Sequence, residues 1–185
     1  YNITTQQLEA SLTYHNDCVR CLLVHEGKLY SSSNDSSIKI YYLATQQVQL
    51  TLDYHNDSSV YDLIVYENRL YSASSDKTIK IYDIANQQLE ETLTYHDDYG
   101  VICLCIHNNK LYSGGSDGVI KVYNLASKQV EDSLSYHTDY VYHLLIHNNL
   151  LYSASQDETI KIYDLITKEV KATLSGHTSF VNHLA

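Results

Sequence analysis

The apolar residues of this chain fall in short runs, each closed by a polar turn. Within residues 136–175, runs at Val141–Ile146, Leu151–Ser155, Thr159–Tyr163 and Val170–Leu174 predict four β-strands. The Asn148-Asn149 pair between the first two runs predicts a tight hairpin turn, because asparagine tolerates a positive φ angle. No helical period of useful length occurs in the sequence, so the pattern predicts an all-β protein.

The same pattern recurs about every 40 residues. A Tyr-His or Gly-His pair places a histidine at positions 15, 55, 96, 137 and 177, which are 40, 41, 41 and 40 residues apart. A Leu-Tyr-Ser run and an Ile-Lys-Ile/Val-Tyr run recur in phase with the histidine in four copies. Four antiparallel strands per repeat of this length form one blade of a β-propeller. The sequence therefore predicts a β-propeller of four-stranded antiparallel blades, with four full repeats plus a split partial blade.

The repeats divide the chain into six predicted parts. Residues 1–13 supply the fourth strand of the split blade and residues 176–185 its first strand, while blades 1 to 4 are 14–53, 54–94, 95–135 and 136–175. The split blade lacks its second and third strands. Two interpretations stay open: the chain is a segment of a larger propeller, or it completes its ring by oligomerisation or domain swapping, because open sheet edges pair readily with other chains.

These marks resemble the WD-repeat β-propeller family over the whole chain. His177 stands where that family opens a repeat, Ser-x-Ser-x-Asp stands in the middle, and Ile-Lys-Ile-Tyr-Asp stands near the end. The departures are systematic. Tyr replaces the Trp of the WD dipeptide in every copy, Tyr replaces the Gly of the Gly-His pair in four of five copies, and Gly115 replaces the second Ser in the third copy.

Ser, His and Asp recur together in every full copy, which taken alone indicates a hydrolase triad. A catalytic triad is made once, in a cleft, so four copies in register favour a structural role. The resemblance implies a buried hydrogen-bond network in which His bridges Asp and Ser, and a Tyr hydroxyl would donate in place of the Trp indole N–H. The expected members are His15, Ser31, Asp35 and Tyr41; His55, Ser72, Asp76 and Tyr82; His96, Ser113, Asp117 and Tyr123; and His137, Ser153, Asp157 and Tyr163. We expect no catalytic residue and no enzymatic activity.

Five residues of metal-ligand type share one position in successive first strands: Cys21, Asp62, Cys103, His143 and His183. The favoured interpretation is that this position normally holds a small buried residue and that the His and Asp side chains found here form local hydrogen bonds. No metal and no cofactor are therefore expected. The four cysteines do not suggest a disulfide framework. Reducing conditions fit them better, so we expect an intracellular, cytoplasmic protein.

Composition and charge limit the classes of molecule that this protein is expected to bind. The formal net charge is −10, from 12 Lys+Arg against 22 Asp+Glu, which argues against a nucleic acid or an anionic membrane as the partner. The chain has 19 Tyr, one Phe and no Pro, Met or Trp. Such a restricted alphabet is typical of an engineered sequence or of a chain whose residues were assigned approximately.

The resemblance also implies a partner-binding face, formed by the loops that lead into the first strands. The positions carried over are Arg20, Asn34, Tyr61, Ser75, Tyr99, Ile102, Ser116, Tyr140, Tyr142, Gln156, Phe180 and Asn182. Aromatic residues in this set are typical binding anchors, and Asp17, Asp57, Asp97, Asp98 and Asp139 lie close by in the sequence. We therefore expect a non-catalytic protein–protein interaction scaffold or adaptor of WD-repeat type that is a segment of a larger propeller. Its expected partners are proteins or peptides with basic and apolar residues, as in a subunit of a multiprotein complex. The alternative is a designed or self-assembling propeller fragment that closes its ring by oligomerisation.

Overall fold

The chain folds into four antiparallel sheets of four strands each. The computed structural model describes residues 4, 6–7, 11–45, 47–96 and 100–185. Blade 1 contains β1 (Val19–His25), β2 (Lys28–Ser33), β3 (Ile38–Tyr42) and β4 (Gln47–Leu52), and blade 2 contains β5 (Val60–Tyr66), β6 (Arg69–Ser74), β7 (Ile79–Asp83) and β8 (Gln88–Leu93). Blade 3 contains β9 (Val101–His107), β10 (Lys110–Gly115), β11 (Ile120–Asn124) and β12 (Gln129–Leu134), and blade 4 contains β13 (Val141–His147), β14 (Leu150–Ser155), β15 (Thr159–Asp164) and β16 (Glu169–Ser175). The predicted all-β, four-bladed fold class is confirmed.

Two-residue turns fix the register of the first hairpin in each blade. Asn108 and Asn109 have φ angles of +48° and +59°, and Asn148 and Asn149 have +50° and +59°. Two successive positive φ angles are the signature of the type I′ turn, whose twist matches that of the flanking strands. The Asn-Asn pairs in the sequence are therefore the direct cause of these hairpins, and the register decides which side chains reach each face.

The core lies between neighbouring blades rather than within one blade. At the first junction, one face of blade 1 packs against the facing side of blade 2 in a single apolar cluster that includes Tyr30, Ile38, Ile40 and Leu52 from blade 1 and Val60, Leu63, Leu70 and Tyr82 from blade 2. Equivalent clusters fill the junctions between blades 2 and 3 and between blades 3 and 4. The second and third strands of blades 2 and 3 are therefore almost entirely buried or half-buried, whereas β1 and β16, at the two ends of the stack, contain no buried residue.

The two predicted pieces of a split blade do not form strands that the structure describes. Most of the predicted fourth strand in residues 1–13 lies outside the described residues. Residues 176–185 contain no regular strand. Val181 nevertheless packs on blade 4, where its side chain is buried and its backbone N–H donates to the Ser155 carbonyl at 3.1 Å.

Candidate functional site

A buried polar network joins the start of each blade to its second and third strands. In blade 4, His137 Nδ1 lies 2.7 Å from Asp157 Oδ2, and His137 Nε2 lies 2.7 Å from Ser153 Oγ. Because a carboxylate only accepts hydrogen bonds, Nδ1 carries the proton, and Nε2 accepts from the serine hydroxyl. In this assignment both ring nitrogens of His137 form a hydrogen bond, one as donor and one as acceptor.

Hydrogen bonds hold the carboxylate of this network in its ionised form. Burial alone would raise the pKa of Asp157, but hydrogen bonds from Thr159 and His137 outweigh it and lower that pKa to about 2. Burial lowers the pKa of His137 despite the adjacent carboxylate. A neutral His137 beside an ionised Asp157 is therefore the state that the folded protein favours at neutral pH.

The same contacts recur in blades 1 and 2. His55 Nδ1 lies 2.8 Å from Asp76 Oδ2 and His55 Nε2 lies 2.7 Å from Ser72 Oγ, while His15 lies 2.7 Å from Ser31 Oγ and 3.0 Å from Asp35 Oδ2. In blade 3, His96 Nε2 lies 2.8 Å from Ser113 Oγ. The histidines of blades 2, 3 and 4 are buried, so no substrate can reach them. This geometry supports a structural role for the network.

The tyrosines at the WD position do not act as the sequence suggested. No hydrogen bond joins Tyr41, Tyr82, Tyr123 or Tyr163 to the network serine in the described part of the chain, and the buried Tyr82 hydroxyl has no hydrogen-bond partner there. Among the described contacts, none supports the prediction that these hydroxyls replace an indole N–H.

Each of these tyrosines instead packs against the tyrosine that precedes the repeat histidine. The ring centroids of Tyr95 and Tyr123 are 5.3 Å apart and nearly parallel, and those of Tyr136 and Tyr163 are 5.6 Å apart. The corresponding pairs in blades 1 and 2 have centroids 6.2 and 6.3 Å apart. The two systematic departures from the WD pattern, Tyr for Trp and Tyr for Gly, therefore meet in space as one aromatic pair. In the sequence, this pairing could have been inferred from the fact that the Tyr-for-Trp and Tyr-for-Gly replacements occur together in all four full repeats.

The row of potential metal ligands links neighbouring first strands. Cys21 Sγ approaches the Leu63 carbonyl at 3.9 Å. Asp62 Oδ2 accepts from Leu104 N–H at 2.7 Å, and Cys103 Sγ donates to the Val141 carbonyl at 3.3 Å. Each side chain thus bonds the backbone of the next blade.

The last member of the row contacts the C-terminal segment. The His143 and His183 rings have centroids 4.2 Å apart, and burial, followed by the electrostatic effect of the neighbouring His183, lowers the pKa of His143. Among the described residues, no group of three or more His, Cys, Asp or Glu side chains is arranged to hold a metal ion. The inter-blade bonds support the local structural interpretation of this row.

The proposed partner face has a simple backbone origin. Each first strand carries a β-bulge, and the unpaired residue of that bulge is Arg20, Tyr61, Ile102 or Tyr142 in the four blades. A bulge turns one side chain away from the regular alternation of a strand. The four bulge residues therefore occupy equivalent positions at the same edge of successive blades.

Blade 4 gathers most of the aromatic surface of this face. The Tyr140 and Tyr142 centroids are 6.1 Å apart, and the Tyr142 and Phe180 centroids are 6.3 Å apart. The Tyr142 hydroxyl donates to the Gln156 side-chain oxygen, which fixes the direction of that ring. Tyr140 and Phe180 are exposed. We call Tyr140, Tyr142 and Phe180 the aromatic cluster.

Blades 1 and 2 form a second, polar part of the face. Arg20 Nε donates to Asn34 Oδ1 at 2.7 Å, and its guanidinium lies 5.7 Å from the Tyr61 ring centroid. The remaining predicted positions Ser75, Ile102 and Ser116 belong to blades 2 and 3, and Asn182 is exposed beside Phe180. Tyr99 and the acidic pair Asp97 and Asp98 lie outside the described residues.

Sequence reasoning did not find a charged cleft between blades 2 and 3. It encloses about 210 Å³ and is lined by Tyr71 and Tyr123 together with charged side chains. Arg69 Nε donates to Glu90 at 2.6 Å and Lys128 Nζ to Glu91 at 2.8 Å, so the charges pair with one another. The Lys128–Glu91 pair spans the two blades, which indicates a role in joining them.

Four stacked blades, each with an inward network and a bulge at one edge, define a repeat β-propeller. The sequence profile of the WD domain, G-beta repeat family matches residues 6–42, 46–83, 87–124 and 128–164. The chain belongs to the WD40 repeat family. No curated protein matches the sequence.

Two solved designed proteins share this architecture. The chain is 29% identical to the computationally designed Ika8 protein over 91% of its own length, with a TM-score of 0.78, and it spans 52% of that chain. It is 26% identical to the computationally designed Ika4 protein over 86% of its length, with a TM-score of 0.75, and it spans 98% of that chain. The chain thus spans about half the length of Ika8.

No helix among the described residues is long and apolar enough to cross a bilayer.

Proposed function

We propose that this chain is a non-catalytic scaffold that binds protein segments at its bulge-lined face. The aromatic cluster of blade 4 carries the proposal. Tyr140 and Phe180 expose large rings beside the half-buried Tyr142, whose hydroxyl is held by Gln156. Ordered, exposed aromatic side chains bury a large area at low entropic cost when a partner docks. The family supports this role, because WD40 propellers generally mediate protein–protein interactions.

The electrostatics of the face indicate the partner. The net charge is −10, and Asp139, directly before Tyr140, helps to raise the pKa of Tyr142, after the larger effect of burial. We expect a protein or peptide segment that places Lys or Arg between apolar residues, and neither a nucleic acid nor a membrane surface. The four free cysteines support an intracellular, cytoplasmic location.

Selection from a randomised peptide library tests this proposal. Peptides retained by the chain should be enriched in Lys or Arg next to apolar residues. Replacing both Tyr140 and Phe180 with Ala should weaken the selected peptides about tenfold or more, because exposed anchors are lost without disturbing the core. Ile166→Ala is the matched control, since Ile166 is apolar and exposed in the β15–β16 turn. Equal affinity of the double variant and the unmodified chain would refute this binding site.

A second candidate function is self-association that completes a ring. The observation that favours it lies at the two ends of the blade stack, where side chains whose equivalents are buried elsewhere are exposed. Leu22 is 65% exposed whereas the equivalent Leu63 is 5% exposed, and Leu174 is 48% exposed whereas the equivalent Leu52 is 4% exposed.

A further inference from the structure

We propose that two copies of this chain form a closed ring in which blade 4 of each copy packs on blade 1 of the other. The inference rests on the second candidate function and names its partner, its contact faces and its stoichiometry. It follows from what the two ends of the stack expose.

The first end of the stack is the outer face of blade 1, formed by Val19, Leu22, Leu29 and Tyr41. In blade 2 the same four positions are Val60, Leu63, Leu70 and Tyr82, and all four are buried against blade 1. In blade 1, Val19 is 49% exposed whereas Val60 is fully buried, and Leu22 is exposed as well; Tyr41 is buried, and its ring lies against Tyr14 of the N-terminal segment. An apolar cavity of about 250 Å³ opens on this face. We call these four residues the blade 1 end face.

The opposite end is the outer face of blade 4, formed by Tyr152, Ile160, Ile162 and Leu174. Their equivalents in blade 1 are Tyr30, Ile38, Ile40 and Leu52, which are buried against blade 2. In blade 4, Leu174 is exposed and the other three are only partly buried. A largely apolar cavity of about 470 Å³ lies beside Tyr152. We call these four residues the blade 4 end face.

The two end faces match each other as the internal faces do. The blade 4 end face has the same residue types as the blade 1 side of the first junction, Tyr, Ile, Ile and Leu. The blade 1 end face has the same types as the blade 2 side of that junction, Val, Leu, Leu and Tyr. The blade 4 end face of one copy therefore supplies what covers the blade 1 end face of another, and the contact continues an interface that the chain already forms within itself.

Charge agrees with this pairing. Between blades 2 and 3 an acid faces a base, Glu91 and Lys128, and between blades 3 and 4 Asp132 lies 3.8 Å from Lys168. Between blades 1 and 2 the equivalent positions are the uncharged Leu50 and Gln87. At the proposed junction the corresponding sequence positions are Ala172 and Gln46, the latter outside the described residues. The junction therefore buries no unpaired charge at this site.

Both ends must release terminal residues for the copies to pair. Val181 lies on blade 4 at the position that Val19 of the second copy would take, and Leu12 is the repeat equivalent of Leu174. Leu12 is 43% exposed, and residues 176–185 form no strand, so the C-terminal segment lies on blade 4 through side-chain packing and single hydrogen bonds rather than through a strand ladder. The C-terminal segment 176–185 is therefore a cap that competes with the second copy.

The solved structures support a stoichiometry of two. A unit similar to this chain constitutes half of the Ika8 chain and nearly all of the Ika4 chain. A four-bladed unit of this kind is thus compatible with a single chain of twice the length. A head-to-tail contact that closes after two copies gives a ring with two equivalent junctions.

Sedimentation equilibrium of the full chain over a concentration series is the first measurement. The expected result is a single reversible equilibrium between 21.2 kDa and twice that mass. A monomer at every concentration would overturn both the inference and the second candidate function. Species larger than two copies would overturn the closed ring alone.

Complementation between two variants tests which faces meet. Leu22→Asp and Leu174→Asp each place a charge in both junctions of the ring, so each variant alone should weaken association at least about tenfold. In an equal mixture, one junction of the mixed dimer combines two unmodified faces, so complexes of twice the monomer mass should return. Association that survives in either single variant, or a mixture that stays monomeric, would overturn the pairing while leaving self-association intact.

Two further variants complete the design. Ile166→Asp adds the same charge at an exposed apolar residue outside both end faces and should leave association unchanged. Deleting residues 176–185 removes the proposed cap and should shift the dimerisation midpoint to lower concentration. Weaker association after this deletion would contradict the competition between the cap and the second copy. Circular dichroism of every variant, compared with that of the unmodified chain, shows that the blades are intact.

Discussion

Blades 3 and 4 are built from the same repeat, yet their buried networks differ at two positions. In blade 4, Ser155 Oγ accepts from Asp157 N–H at 3.1 Å and Thr159 Oγ1 donates to Asp157 Oδ1 at 2.6 Å. Blade 3 has Gly115 and Val119 at these positions, and neither side chain can hydrogen-bond. Its Asp117 keeps the contact from Val119 N–H to Oδ1, at 3.0 Å.

The difference shows what the serine and threonine do. In blades 1, 2 and 4 a hydroxyl at 2.6 to 2.7 Å donates to the aspartate Oδ1, whereas the shortest contact of the histidine Nδ1 is with Oδ2. That contact fixes the rotation of the carboxylate, so its other oxygen points at the histidine Nδ1. The network is therefore a histidine–aspartate contact positioned by the turn between the second and third strands.

The strongest way to break blade 4 is to remove its histidine. His137→Ala should lower the free energy of unfolding by about 3 kcal/mol, because it leaves the half-buried Asp157 carboxylate and the buried Ser153 hydroxyl without their partner. Urea denaturation at pH 7 measures this loss. The control is His177→Ala, since His177 has the same repeat position but is exposed, and its effect should stay within about 0.5 kcal/mol. A cost below about 1 kcal/mol for His137→Ala would argue against the network as a stabilising element.

Converting blade 4 to the blade 3 pattern tests the comparison directly. The double substitution Ser155→Gly and Thr159→Val should cost about 2 kcal/mol, because it removes two hydroxyl contacts to Asp157 and frees the backbone at a new glycine. The same urea experiment applies, with Thr167→Val in the exposed β15–β16 turn as the control. A double variant as stable as the unmodified chain would show that the two hydroxyls do not contribute.

Acid should weaken the networks that hold an ionised carboxylate. The pKa of Asp157 is about 2 in the folded protein and about 3.9 in an unfolded chain, so the folded state binds this proton less readily. Its contribution is present above about pH 4 and is lost as the pH falls toward 2, and the lowered pKa of Asp76 acts in the same direction. Unfolding measured from pH 5 to pH 2.5 should show a loss on the order of 1 kcal/mol that is absent in Asp157→Asn. The exposed Asp53→Asn is the control, and identical slopes in all three proteins would contradict the assignment.

The smallest expected effect is a partial repair of blade 3. Val119→Thr should raise the free energy of unfolding by about 0.5 kcal/mol, because its hydroxyl would reach Asp117 Oδ1 as in the other blades. Gly115→Ser alone should bring no gain, since a Cβ at this position would clash with Asp117 Oδ1 and would lie 3.1 Å from His96 Nδ1. Thermal melts of the two single variants, compared with that of the unmodified chain, separate these outcomes. Stabilisation by Gly115→Ser would show that Asp117 already moves freely.

Much of the blade could be predicted from the sequence because its determinants are local. The Asn148-Asn149 turn, the alternating strands and the recurrent His, Ser and Asp all act within one repeat. The role of Tyr163 could not be predicted from the sequence, because its contact with Tyr136 depends on how two residues far apart in the chain come together in the blade. The alternation of apolar and polar residues likewise did not predict that Tyr142 lies in a β-bulge, although the resemblance to the WD-repeat family placed this residue on the partner face.

The sequence by itself determined the number of blades, their strands and the polar network inside each one, since hydrogen bonding and turn geometry act over short distances. Only the tertiary structure decided which faces are covered. Leu22 and Leu63 occupy the same repeat position, yet one is exposed and the other buried. Whether a residue is buried depends on the surface that packs against it as well as on the residue itself. For the blade 1 and blade 4 end faces, that surface is the second copy in the proposed ring.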